Sequence, residues 1–77
     1  MNLEIITPDK TIFKGEVDLV QLPGIDGSFE ILNNHAPLIS ALREGIIKIL
    51  KGKTEDFFEV KAGVIEVLDN KVLVLAE

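Results

Sequence analysis

The chain has 77 residues, 47% of them apolar, with no cysteine, one histidine and a formal net charge of −5. Without cysteine there are no disulfides or thiolate metal sites, and a lone histidine argues against structural zinc. Eight scattered Lys and Arg among thirteen acids, with neither Trp nor Tyr, argue against nucleic acid. No apolar run approaches the roughly 18 residues of a spanning helix. The opening MNLEIITPDK lacks the basic and apolar order of a secretory signal, so the expected compartment is a cytoplasm. A domain of this size buries only about 60–65% of its unfolded surface, so a partner subunit is an expected source of extra stability.

In chain order, Leu3 to Thr7 reads as a first strand and Pro8-Asp9 as its turn. Ile12-Phe13 opens a second. From Gly15 the alternation is clean, with Val17, Leu19 and Gln21 on one face and Glu16, Asp18, Val20 and Leu22 on the other, and Pro23 is expected to stop it. Gly24 to Gly27 reads as a tight turn, and Ser28 to Leu32 as a short strand with Phe29 and Ile31 on one face. Asn33-Asn34-His35 has the composition of an irregular loop with left-handed backbone, and Pro37 holds Ala36 extended. Leu38 to Leu42 is a strand ended by Arg43-Glu44-Gly45.

Ile46 to Leu50 follows, then a turn over Lys51-Gly52-Lys53-Thr54, then alternation from Asp56 to Ala62. Gly63 reads as a bulge or sharp bend. Val64 to Leu68 and Lys71 to Ala76 flank a two-residue Asp69-Asn70 hairpin turn. Short strands with turn signals every eight to ten residues or so, and no helical period, predict an all-β fold over residues 1–77, a single small two-sheet β-sandwich of about eight to ten short strands. Strands Ile46–Leu50, Val64–Leu68 and Val72–Leu75 are apolar on both faces, so part of the outer surface is expected to be covered by a partner.

The stretch Leu22 to Gly45 gathers three of the six glycines, two of the three prolines and the only histidine. Loops held by a rigid scaffold commonly carry binding. Catalysis has thin support. His35 could act as a base, yet no spacing ties it to Ser28, Ser40 or Glu30. Asp26 and Glu30 form no evident carboxylate pair, and GIDG lacks the lysine and helix of a phosphate loop. Phe57-Phe58 reads as one core ring and one edge ring. The residues therefore predict a non-catalytic β-domain with one elaborate loop surface, without cofactor or metal.

The run PGIDGSFEILNNHAPLISALREGIIKI resembles the N-terminal domain of the epsilon subunit of F-type ATP synthases. The resemblance rests on the Gly24-x-x-Gly27 turn, the strand Phe29 to Ile31, the His35-Ala36-Pro37-Leu38 segment, and Leu42 with Gly45. The opening LEIITPDKTIFKGEVD and the Gly63-Val-Ile-Glu-Val67 segment extend it over essentially the whole chain.

The resemblance implies a non-catalytic rotor subunit of the central stalk. It would bind the gamma subunit and the polar loops of the c-ring and couple proton-driven rotation to the catalytic head, peripheral on the cytoplasmic face of a bacterial inner membrane. Partner-binding residues implied by position are Asp26, Gly27, Ser28 and Glu30 with Asn34, His35, Ala36 and Pro37. Ser28 stands where many relatives carry an acid. Family members usually continue into a C-terminal helical hairpin that can inhibit hydrolysis or bind ATP. With this sequence ending at Glu77, neither property is expected of it, whether the chain is naturally short or cut after the sandwich. Two other readings are a stand-alone β-sandwich adaptor binding peptides at a sheet edge and a biotinyl or lipoyl carrier. The lysines at the tips Lys51-Gly52-Lys53 and Asp69-Asn70-Lys71 lack the flanking residues a carrier needs.

Overall fold

The computed structural model describes residues 1–77, all strand and turn, with no helix. The strands are β1 (Asn2–Ile6), β2 (Thr11–Glu16), β3 (Leu19–Gly24), β4 (Gly27–Leu32), β5 (Leu38–Leu42), β6 (Gly45–Lys51), β7 (Thr54–Val60), β8 (Gly63–Leu68) and β9 (Lys71–Ala76). They form two layers of a curled sandwich. One runs β2-β1-β9-β8-β5 and the other β4-β3-β6-β7, and a single register pair, Gly24 with Leu42, joins them. Every pairing is antiparallel except β1 with β9.

The alternation of the strands produces the core directly. Leu3, Ile5, Val72, Val74, Ile65 and Val67 point inward from the first layer, and Val20, Leu22, Ile31, Ile47, Ile49 and Val60 from the second. No polar or charged residue is buried, so the interior stabilises by apolar transfer and close packing alone, about 1.5–3 kcal/mol for each fully buried aliphatic side chain. Met1 and Val17 close one end of this core.

Local turn chemistry matches expectation at several points. Asp69 and Asn70 both have positive φ, at 50° and 59°, as a two-residue hairpin between Leu68 and Lys71 requires. At Thr7 the hydroxyl accepts from the Asp9 and Lys10 amides at 3.3 and 3.2 Å, fixing the β1–β2 turn.

Three local expectations are corrected. The run Gly15 to Leu22 is two strands, not one, because the chain turns at Val17-Asp18 to change layer. Val20 and Leu22 then face the core beside a buried Val17. Asp18 explains the break, since its amide donates to Leu50 O at 2.8 Å and its carboxylate accepts from the Gly52 amide at 2.7 Å, tying the corner to the β6–β7 hairpin. Pro23 does not stop β3. It lies where β6 pairing has ended and β5 pairing begins, so its missing N–H deprives no neighbour. The strand read as Asp56 to Ala62 ends at Val60, and Lys61-Ala62 is a bend. The phenylalanine pair divides as expected into one ring packed against the core, Phe58, and one exposed ring, Phe57. Phe57 is 60% exposed, and Phe58 is half-buried against Phe13, with ring centroids 5.8 Å apart.

Gly63 sits where the backbone of β8 presses on β9, and a Cβ there would lie 2.6 Å from Leu75 O. Gly63→Ala is expected to destabilise the fold by about 1–3 kcal/mol, read as a lower urea midpoint with an unchanged m-value.

Candidate functional site

The eight residues singled out by position do not form one loop cluster. Asp26 and Gly27 lie at one end of β4, and Asn34, His35, Ala36 and Pro37 follow its other end. Five strand steps from Gly27 to Leu32 separate the two ends by about 17 Å. Between them Ser28 and Glu30 project outward and are exposed, whereas Phe29 and Ile31 face inward toward Leu22 and Val20. The arrangement is a strip along the outer strand β4, whose only partner is β3. It carries two carboxylates, Asp26 and Glu30, and no Lys or Arg.

The Asn33–Pro37 end of the strip is tethered to a distant part of the chain. Asn34 has φ of 63°, and its amide donates to Asn70 Oδ1 at 2.7 Å. The Met1 ammonium group donates to Val17 O at 3.1 Å and to Asn33 Oδ1, and lies 3.4 Å from Glu16 Oε2. His35 Nδ1 lies 2.6 Å from Ala36 O. A carbonyl only accepts, so that nitrogen carries the proton. No carboxylate orients the ring, and Ser28 is at the far end of β4, so no nucleophile–base–acid arrangement converges here. No group of three or more His, Asp or Glu side chains is placed to hold a metal ion.

A second surface lies on the outside of the five-stranded layer. Strand register puts Ile6, Leu75, Val64 and Ala41 side by side across four strands, β1, β9, β8 and β5. Leu75 and Val64 are 47% and 42% exposed, and Ile39 nearby reaches 73%. At one end of this row is a hollow of about 540 Å³ lined by Ile6, Pro8, Val64, Leu75 and the Glu77 end of the chain. No local sequence signal marks this hollow. The only forewarning was that Val64–Leu68 and Val72–Leu75 are apolar on both faces. The other layer also exposes apolar side chains, notably Ile46, Phe57 and Leu32.

Residues 1–77 match the family described as the ATP synthase Delta/Epsilon chain beta-sandwich domain. The chain is 46% identical over 76 residues to the ATP synthase epsilon chain of Chlorobium limicola, covering 97% of this chain and 86% of that protein. It is 44% identical over 77 residues to the epsilon chain of Leptospira borgpetersenii, of which it spans 61%. Among solved structures, the fold matches a chain of the Euglena gracilis mitochondrial ATP synthase with a TM-score of 0.90 at 23% identity, covering 96% of this chain and 48% of that one. It also matches one from the central stalk and c-ring of the Tetrahymena thermophila enzyme with a TM-score of 0.84 at 18% identity, covering 97% and 61%.

Because Asn70 both holds a positive φ and accepts from Asn34, Asn70→Ala is expected to cost about 1–3 kcal/mol and to loosen the Asn33–Pro37 loop. Amide exchange at Asn34 should rise more than exchange at core amides such as Ile65.

Proposed function

The chain belongs to the ATP synthase Delta/Epsilon chain beta-sandwich family, and from that premise we propose that it serves as the epsilon subunit of an F-type ATP synthase. In this reading it is a non-catalytic part of the central stalk, bound to the gamma subunit and resting on the polar loops of the c-ring. It would sit peripherally on the cytoplasmic face of the membrane that holds the ring. The observation that carries the reading is the family match over every residue from 1 to 77, supported by 38–46% identity to several proteins named ATP synthase epsilon chain.

The physical character of the fold suits a coupler. Torque is passed on only by a body that resists shear. An interior filled by interlocking aliphatic side chains, with no buried polar side chain, is close-packed and of low compressibility. The outer apolar row Ile6–Leu75–Val64–Ala41 and its hollow suit a long-lived partner, because apolar area removed from water holds a complex at any rotational angle. We assign this face to gamma. The polar strip from Asp26 to Pro37 suits contact with polar loops, where exposed polar groups exchange water for protein partners with little net cost, and we assign it to the c-ring loops. Residues 1–77 contain no helix, so the role proposed for them is assembly and coupling.

The test is binding to purified gamma subunit by calorimetry or size exclusion. A one-to-one complex is expected, weakened at least about tenfold by Leu75→Glu or Val64→Lys and little changed by Phe57→Glu on the opposite layer. Absence of any complex would return the chain to a β-sandwich adaptor of unassigned partner. Loss through Phe57→Glu alone would move the gamma face to the other layer.

A further inference from the structure

The sandwich has three strands with a free edge, β2, β4 and β7, each paired on one side only. Free edges invite pairing with other chains, and proteins ordinarily blunt them with bulges, charges or cover. Two of the three are blunted here. In β2 the register shifts between Ile5–Phe13 and Ile6–Thr11, leaving Ile12 as an extra, bulged residue, and Lys14 and Glu16 are exposed along it. The β7 strand carries Glu55, Asp56 and Glu59, all exposed. These two edges also meet through the Phe13–Phe58 ring contact.

The β4 edge is the least protected of the three, with Glu30 as its only charge. It has no bulge across its full pairing from Gly27 to Leu32, no proline and no lysine. Its backbone direction is fixed by its partner. Pro23 O accepts from the Arg43 amide at 2.8 Å and so points away from β4. Ser28, directly opposite Pro23, must therefore turn its own N–H and C=O away from β3, and by strand alternation Glu30 and Leu32 do the same. None of these groups is engaged in the turn, loop or side-chain hydrogen bonds of the fold. Three residues thus present N–H and C=O pairs along one line, at the two-residue spacing of a sheet ladder.

We propose that this edge takes an extended, basic segment of the rotor by strand addition, so that the Asp26–Pro37 strip engages its partner through main-chain hydrogen bonds. This rests on the functional reading above and adds the mode of contact and the chemistry of the partner. Five residues, 28 to 32, set the length of the added strand. A side chain opposite half-buried Phe29 would face inward and extend the core, so that position should be apolar. A side chain opposite Glu30 would face outward beside a carboxylate. With Asp26 and Glu30 as the only charges on the strip, lysine or arginine complements it. A second copy of this chain fits poorly. Two-fold pairing over the full 28–32 length sets Ser28 against Leu32 and Glu30 against Glu30, and like charges directly opposite are destabilising.

The experiment follows amide exchange of the chain alone and in complex with the purified gamma–c-ring rotor. In the free chain Ser28, Glu30 and Leu32 should exchange far faster than Phe29 and Ile31, and the rotor should slow the first three at least about tenfold. Glu30→Pro removes an outward N–H that the fold does not use, as edge strands tolerate, and should weaken rotor binding at least about tenfold. Glu30→Ala keeps that N–H and should cost no more than about fivefold, the scale of one exposed charge pair. A rotor complex in which the three amides exchange as fast as in the free chain would overturn this inference and leave the functional reading standing, and so would Glu30→Pro, folded by circular dichroism, binding as the parent does. A free chain found dimeric by sedimentation with these amides already protected would assign the edge to a second copy. No rotor complex at all would overturn both readings.

Discussion

Strand β3 serves three neighbours, and the rest of the molecule depends on how it is shared. Along one side it pairs with β4 over its whole length. Along the other it pairs with β6 through Leu19, Val20 and Gln21, then with β5 at Gly24. That last pair joins the two layers at a position where β4 also folds back closely. A Cβ on residue 24 would lie 2.7 Å from both Gly27 O and the Phe29 ring, so only glycine allows the chain to pass from one layer toward the other while β4 folds back beside it. Pro23 next to it supplies the complementary omission, a position with no N–H where β3 changes neighbours.

This sharing leaves the sandwich asymmetric. On one flank the edges β2 and β7 are drawn together by tilted aromatic rings, which contribute beyond simple area burial. On the other flank β4 has an unused line of backbone groups, and Phe29 and Leu38 are packed against the core but only half-buried. An all-aliphatic interior gives stiffness, and the half-finished flank gives a place where that stiffness can be coupled to something else. The candidate partner surfaces follow the same division. The apolar row across β1, β9, β8 and β5 is the outside of the five-stranded layer, and the polar strip is the margin of the four-stranded one.

The end of the sandwich that holds the Asn33–Pro37 loop is organised by polar tethers rather than by the core. The Met1 ammonium bonds to Val17 and Asn33, Asn70 holds Asn34, and Asp18 holds the Gly52 hairpin. Each tether satisfies a backbone group or charge that packing could not, and together they fix the loop between β4 and β5 without burying it. A contact surface can then be both solvent-exposed and well defined, which limits the ordering entropy lost on binding.

Much of this was legible in the amino acids. The period-two alternation of β4 and β7 specified which of their side chains face the core, whereas β6, β8 and β9 are apolar on both faces. Asp69-Asn70 specified a tight hairpin, and the density of glycine and proline between Leu22 and Gly45 marked the segment where the layers change over. The His35-Ala36-Pro37-Leu38 segment and its flanks carried the family resemblance that the whole-chain match bears out. These are local signals, because side-chain period and turn backbone depend on residues a few positions apart. Only the tertiary structure decided the parallel pairing of β1 with β9 and the break at Val17-Asp18. The hollow beside Leu75 and the free edge of β4 belong with them. Each depends on which strand lies beside which, and that is set by how two whole layers bury their apolar faces against each other, over sequence distances that no local pattern records.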